Sequence, residues 1–176
     1  MSRTDPRAPG VNNSNIMRHT ISVLVENKFG ALTRIAGLFS GRGYNIDTLN
    51  VAPTLTEGLS MMTITTTGDE AIIEQIVKQL RKLVTTLKVV DLTDVKSVER
   101  EMMLLRVDAE GSKRAEVLRI VDIFRCKVVD VSPDELVLEV TGTQDKLTAL
   151  VSLLQRYGIK EAARTGAVAM RRGMQE

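Results

Sequence analysis

The sequence predicts an α+β protein built from two consecutive βαββαβ units. Segments of two-residue hydrophobic period alternate with segments of 3.6-residue period, which marks strands and helices in turn. The same order of segments then occurs a second time. The length of 176 residues accommodates two small units and little else.

The first unit begins near Met17. Residues 19–26 (HTISVLVE) place Ile21, Val23 and Val25 on one face of a strand. Gly30 breaks the pattern. Residues 31–41 carry Leu32, Ile35, Leu38 and Phe39 at helical spacing, and Gly41 and Gly43 suit a helix stop. A strand is expected over 44–52 (YNIDTLNVA), ended by Pro53, and another over 59–67 after a turn at Gly58. Asp69 is placed to cap a helix whose apolar face is Ile72, Ile73, Ile76, Leu80 and Leu83. The last strand is expected over 86–93.

The second unit repeats this order. A strand over 101–109 precedes a helix over 112–125, with Val117, Ile120, Val121 and Phe124 inward. A strand over 127–131 ends in Ser132–Pro133, and the next, over 136–141, runs to Gly142. A helix over 144–157 starts at Thr143 with Leu147, Leu150, Val151 and Leu154 inward, and a final strand covers 159–170. The link falls near Leu92–Val98. The expected organisation is a loosely ordered tail over 1–16, one domain over 17–94 and a second over 98–173.

Such a unit closes into a four-stranded antiparallel sheet with both helices on one face, the ferredoxin-like arrangement, through right-handed crossovers. One continuous α+β domain is the alternative. A unit this small is marginally stable alone, and its bare sheet face and edge strands need cover, so a homodimer is expected.

Composition narrows the function. Hydrophobic residues make up 43% and aromatics only 3%, so the cores are aliphatic. A net charge of +2 carries no basic patch that would demand nucleic acid or an anionic membrane. The single cysteine, Cys126, rules out an internal disulfide and fits a reducing compartment. No apolar run approaches the roughly 18–20 residues of a membrane span. The first fifteen residues lack the apolar core of a secretory signal. A cytoplasmic protein is expected.

Catalytic chemistry finds no foothold. Rossmann and P-loop glycine patterns and the GxSxG motif are missing. His19, the one histidine, cannot anchor a metal cluster and is expected on the surface at a strand start. Cys126 is expected to be a small core residue, with no second histidine to activate it. Asp134–Glu135 beside Pro133 is explained by turn chemistry. Neither catalytic nor metal-binding residues are therefore expected, and a binding module is favoured over an enzyme. RNA recognition by such a sheet needs aromatics on its central strands, and HTISVLVE, LSMMTITTT, EMMLLRVDA and LVLEVT have none.

One segment suits a ligand. Glu26–Leu32 joins a strand to a helix N-terminus, where free backbone N–H groups can hold a carboxylate. Gly30 allows close approach, and the Asn27 amide can accept from an ammonium while donating to a carboxylate. These are the needs of a free amino acid. The plainer reading is that Gly30 makes the turn and Asn27 caps the helix.

Residues 17–94 resemble an ACT domain. More specifically, the run HTISVLVENKFGALTRIAGLFSGRGYNIDTLNVAPT, with the later VEREMMLLRV and RTGAVAMRRG, resembles the small regulatory subunits of acetolactate synthase (acetohydroxyacid synthase). The resemblance covers roughly residues 17–173. The combined pattern is specific, whereas ENxxG alone would be weak. It implies a subunit that is non-catalytic by itself. Such a subunit binds and activates a thiamine-diphosphate-dependent catalytic (large) subunit and confers feedback inhibition, usually by valine, in branched-chain amino-acid biosynthesis. Thiamine diphosphate, Mg and FAD would belong to that partner, and this chain would hold no cofactor. The resemblance further implies side-by-side ACT pairing with the effector at the dimer interface. Asn27, Gly30, Ala31 and Leu32 of one chain would hold the amino-acid head, Asn45 and Ile46 would come from the other chain, and Ala52 would lie near the same pocket. Phe29 departs from the family, where many members have Pro. A free-standing ACT sensor regulating another enzyme is the alternative.

Overall fold

The structure, a computed structural model, describes residues 16–173. The expected tail over 1–16 thus lies, Ile16 excepted, outside the described residues. The first half comprises β1 (Met17–Glu26), α1 (Ala31–Ser40), β2 (Thr48–Pro53), β3 (Leu59–Gly68), α2 (Glu70–Leu80) and β4 (Thr86–Asp91). The second comprises β5 (Ser97–Asp108), α3 (Lys113–Phe124), β6 (Lys127–Val131), β7 (Glu135–Gly142), α4 (Gln144–Leu154), β8 (Ile159–Arg164) and β9 (Val168–Arg171). Both sheets are antiparallel, in the orders β2-β3-β1-β4 and β6-β7-β5-β8. The repeat read in the sequence is therefore a repeat of topology.

Strand alternation turns Ile21, Val23 and Val25 of β1 inward, where they meet Ile35 and Phe39 of α1 and Ile73, Ile76 and Leu80 of α2. Met103, Leu105 and Val107 of β5 do the same against Val117, Leu147, Leu150 and Leu154. Each such side chain contributes roughly 1.5–3 kcal/mol on burial. Two helices start as expected. The Asp69 carboxylate accepts from Ala71 N–H at 2.8 Å, and the Thr143 hydroxyl accepts from Lys146 N–H at 3.4 Å.

The structure corrects several expectations. The strand expected over 44–52 begins only at Thr48 and takes in Pro53, which sits on the sheet edge where no ladder donor is needed. Residues 45–47 are held instead by the end of β3. Thr66 Oγ1 donates to Asn45 O at 2.6 Å, Asp47 N donates to Thr65 O at 2.8 Å, and Thr67 Oγ1 donates to Asp47 Oδ2 at 2.6 Å. The strand expected over 159–170 is two strands, broken at Gly166, whose φ of +76° lies in the left-handed region. After this break β9 pairs with Ser97–Arg100, so β5 starts earlier than the expected 101. The helix expected over 144–157 ends at Leu154 and tightens into a 3₁₀ turn over Gln155–Tyr157. β4 stops at Asp91, short of 93, and Leu83 lies past α2 although it still packs on the core. Cys126 precedes β6 and is only half buried.

His19 is the largest correction. It is 2% exposed, not a surface residue. Its Nε2 donates to Gly68 O at 3.3 Å and its Nδ1 lies 3.2 Å from Thr93 Oγ1. Thr93 belongs to the segment that leads into the second unit, so cover from a residue far along the chain buries the ring.

The bare face of the first sheet also finds cover within the chain. Glu99 of β5 accepts from Thr20 Oγ1 at 3.1 Å and pairs with Arg18. The β8–β9 corner reaches β2, where Asn50 Nδ2 donates to Thr165 O at 3.5 Å. Thr63 and Thr65, on the same face, are buried.

Candidate amino-acid site at the start of helix α1

The loop from β1 to α1 is tied to its two neighbours. Glu26 N donates to Thr85 O at 2.8 Å, and Asn27 N donates to Gly58 O at 2.7 Å. Gly30 is the N-cap of α1, with φ +80° and no side-chain cap. Asn27 therefore does not cap the helix, contrary to the plainer expectation. Ala31 N finds Lys28 O at 3.2 Å, and the helical ladder opens with Arg34 N donating to Gly30 O at 3.0 Å. The N–H groups of Leu32 and Thr33 stand before that first rung, and no acidic residue occupies the first turn. Side chains cap α2 and α4, and α3, also without a side-chain cap, carries Glu116 in its first turn. The positive end of the α1 dipole is thus left available to an anion. Lys28 beside it pairs with Glu26 at 2.9 Å.

The expected site residues fall into three places. Asn27, Gly30, Ala31 and Leu32 come together around the start of α1, with Asn27 and Leu32 exposed and Ala31 buried. Asn45 and Ile46 lie at the opposite end of the sheet. Asn27 is bonded beside Leu59 and Asn45 beside Thr66, and this separation along β3 is roughly 23 Å at about 3.3 Å per residue. Asn45 Nδ2 donates to Asp47 Oδ1 at 3.1 Å, and Ile46 packs partly on the first core. Ala52 pairs with Met61 and faces the helix-free side, lining a cavity of ≈ 530 Å³ with Leu24, Val90 and Met170. A single chain does not join these three places.

Sequence reasoning missed the junction between the units. Asp47, Thr48 and Leu49 share a cleft of ≈ 310 Å³ with Glu101, Arg164 and Gly166. Arg164 donates to both Glu101 oxygens, at 2.8 and 2.7 Å, and the buried carboxylate holds the guanidinium above its ordinary value. The sequence reading of one strand over 159–170 passed over Gly166, the residue at which this corner turns. Burial pushes the Cys126 thiol up, away from the thiolate that a nucleophile needs. Among the described residues, no group of three His, Cys, Asp or Glu side chains is placed to hold a metal ion. No described helix is long and apolar enough to cross a membrane.

Comparison with known proteins identifies this arrangement. Residues 21–88 match the family model described as the AHAS small subunit-like ACT domain, and residues 100–173 match that of the small subunit of acetolactate synthase. The acetolactate synthase small subunit of Aquifex aeolicus is 54% identical over 170 residues, which cover 96% of this chain and 88% of that one. The chain belongs to the acetolactate synthase small-subunit family. A probable acetolactate synthase small subunit of Archaeoglobus fulgidus is also 54% identical, over 157 residues that cover 89% of this chain and 98% of that protein. The crystal structure of the acetolactate synthase small subunit of Thermotoga maritima superposes with a TM-score of 0.83 at 41% identity, covering 90% of this chain and 99% of that one. The ACT match contains the β1–α1 loop and the Asn45–Asp47 segment, and the second match contains the β8–β9 corner.

Proposed function

We propose that this chain is a regulatory subunit, non-catalytic by itself, that activates an acetolactate synthase catalytic subunit and confers feedback inhibition by valine in branched-chain amino-acid synthesis. The observation that carries the reading is the uncapped, acid-free start of α1 behind Gly30, in a chain of this family. Thiamine diphosphate, Mg and FAD are carried by the catalytic partner in this proposal, and both act in the cytoplasm. The unit over 17–94 is the sensor, and the unit over 98–173 supports and relays its state.

A homodimer completes the site. β2 is an edge strand. Two copies of β2 paired antiparallel about a two-fold axis bring the Asn27 end of one sheet beside the Asn45 end of the other. The carboxylate of valine then meets the α1 N–H groups, Asn27 takes part of the zwitterion, and Asn45 and Ile46 of the second copy close over the side chain. Ala52 contributes at the margin, on the helix-free side.

The magnitudes suit a modest sensor. A valine side chain yields roughly 1.5–3 kcal/mol on burial, and a carboxylate at a helix N-terminus about 0.3–1 kcal/mol. Charge-assisted hydrogen bonds supply the remainder of the ~5.5 kcal/mol that a ~10⁻⁴ M dissociation constant needs. Valine changes the balance between two arrangements of the dimer, and the catalytic subunit responds with a coupling of about 1–3 kcal/mol.

Thermal unfolding against all twenty amino acids, followed by assay with the catalytic subunit, tests the proposal. Valine is expected to raise the midpoint, leucine and isoleucine less, and charged amino acids not at all. At about 100 times the dissociation constant the gain is about 2.7 kcal/mol per site. No rise with any amino acid, together with no activation, would overturn it.

A further inference from the structure

Four large apolar side chains project at one pole of the first unit. Phe29 is 106% exposed, Leu55 108%, Val84 93% and Leu87 55%. Isolated exposed hydrophobes are ordinary on a soluble protein, but a cluster is a mark of an interaction surface. These four come from three adjacent segments: the β1–α1 loop, the β2–β3 hairpin and the stretch from α2 into β4. The Asn27–Gly58 and Glu26–Thr85 backbone bonds join those segments directly.

The pole is ordered. Thr54 N donates to Leu59 O at 2.9 Å within the hairpin, and Thr86 N donates to Leu83 O at 2.9 Å in the α2–β4 turn. A preformed surface loses little entropy on docking. The side-chain bonds to the second unit lie toward the other end of the sheet, at Arg18, Thr20 and Asn50, while β9 reaches the near side only across the cavity it shares with Thr54 and Lys88. Among the described residues, no hydrogen bond or ion pair joins the second unit to Phe29, Leu55, Val84 or Leu87. The Val84 side of the pole carries Arg81, Lys82 and Lys88, all exposed, and residues 81–90 include no acidic side chain.

We infer that this pole, centred on Phe29, Leu55 and Val84, is the docking surface for the catalytic subunit, through an apolar patch bordered by carboxylates. The inference rests on the regulatory reading given above. A second copy is a poorer occupant. Side-by-side pairing runs along the β2 edge, close to Leu55, but Val84 and Leu87 lie by β4, three strands away across the sheet, roughly 14 Å at about 4.8 Å per strand. On the Val84 side the basic rim disfavours its own copy and favours an acidic partner, while exposed Glu57 stands on the hairpin side. Phe29 lies directly before Gly30, so the loop that meets the catalytic subunit is also the loop that holds the effector. A change in that loop on valine binding then reaches the partner directly, in addition to what the second unit relays.

Charge substitutions test this with little risk to folding, since these side chains contact almost nothing in the chain. The full-length subunit and its Val84→Glu and Leu55→Glu variants are titrated against the catalytic subunit. Val129→Glu, exposed on β6 of the second unit, serves as the control. The concentration for half-maximal activation is expected to rise about tenfold or more for Val84→Glu and Leu55→Glu, as for loss of a hot-spot contact, and to stay unchanged for Val129→Glu. Oligomeric state and the thermal shift with valine stay as in the unsubstituted protein. Added salt weakens the unsubstituted complex. Half-maximal concentrations that stay within about twofold of the unsubstituted value overturn the inference. So does dissociation of the subunit's own dimer, which assigns the pole to a second copy. If the unsubstituted protein itself fails to activate, the regulatory reading falls and this inference with it, a result distinct from variants that activate normally.

Discussion

Gly166 lies so close to Thr48 that a Cβ on Gly166 would sit 3.2 Å from the Thr48 Cβ. It brings the β8–β9 corner of the second unit against the start of β2, next to the Asn45–Asp47 segment. Gly166 also has φ +76°, so a side chain there meets backbone strain and contact together. Gly111 offers a comparison, because its φ of +55° is also left-handed but nothing lies within 4 Å of its missing Cβ. Gly111→Ala is expected to cost about 1 kcal/mol, and Gly166→Ala about 1–3 kcal/mol more from overpacking. Urea unfolding of both variants measures the difference, and equal midpoints would mean that the junction has slack.

Gly30→Asp is expected to abolish inhibition by valine and leave activation in place. Nothing lies within 4 Å of the missing Cβ, so the fold has room for the side chain. Asp tolerates the left-handed region better than most residues. Its carboxylate occupies the free N–H groups of α1 and repels that of the ligand. Gly30→Asn, equal in shape and uncharged, is expected to keep part of the inhibition. Inhibition curves for the two variants and the unsubstituted protein separate charge from bulk, and undiminished inhibition in Gly30→Asp places the effector elsewhere.

The second sheet should lose stability in acid. Lys113 beside Asp108, at 2.6 Å, holds that carboxyl below its usual range, helped by the Glu110 backbone. Lys160, at 2.7 Å, and then Arg106 do the same for Glu135. Both native values are depressed. Their contribution is therefore fully present above the ordinary carboxylate range of roughly pH 4 to 4.5 and is lost as pH falls through the lowered native values. Chemical unfolding at pH 7, 4 and 3 should show a declining midpoint. Glu135→Gln should flatten part of that decline, and an unaltered acid slope in that variant would remove Glu135 from the account.

Cys126 should react slowly with alkylating reagents at neutral pH while the chain is folded. Burial raises its pKa and the side chain packs partly on the second core. Iodoacetamide labelling with and without urea measures this. The rate is expected to rise on unfolding, and equal rates would show the thiol to be open.

The repeat was legible because each element buries a face, and the spacing of Ile21, Val23 and Val25 or of Ile73, Ile76 and Leu80 reports that face directly. The caps at Asp69 and Thr143 were legible because capping is local. What depended on distant contacts was not. His19 reads as a surface histidine until Thr93 and Gly68 are placed around it. Residues 44–47 read as strand through Tyr44 and Ile46, yet Thr65, Thr66 and Thr67 claim their polar groups in another way. The break at Gly166 follows from the approach to Thr48, which lies more than a hundred residues earlier. For the candidate site, the α1 half was legible as a glycine turn before a helix. The separation of Asn45 from Asn27 was not, because residue spacing carries no information about opposite ends of a sheet.

β5 spans 12 residues, about 40 Å, with one shift of register against β8 between Arg106 and Val107. Near one end it is gripped by the first unit at Glu99 and by β9 along Ser97–Arg100, and further on it forms a central strand of the second sheet. A tilt of about 3° at Glu99 displaces Asp108, roughly 30 Å away, by about 1.5 Å. A strand held by both units in this way is suited to carry a rotation of one to the other, as a loose tether is not.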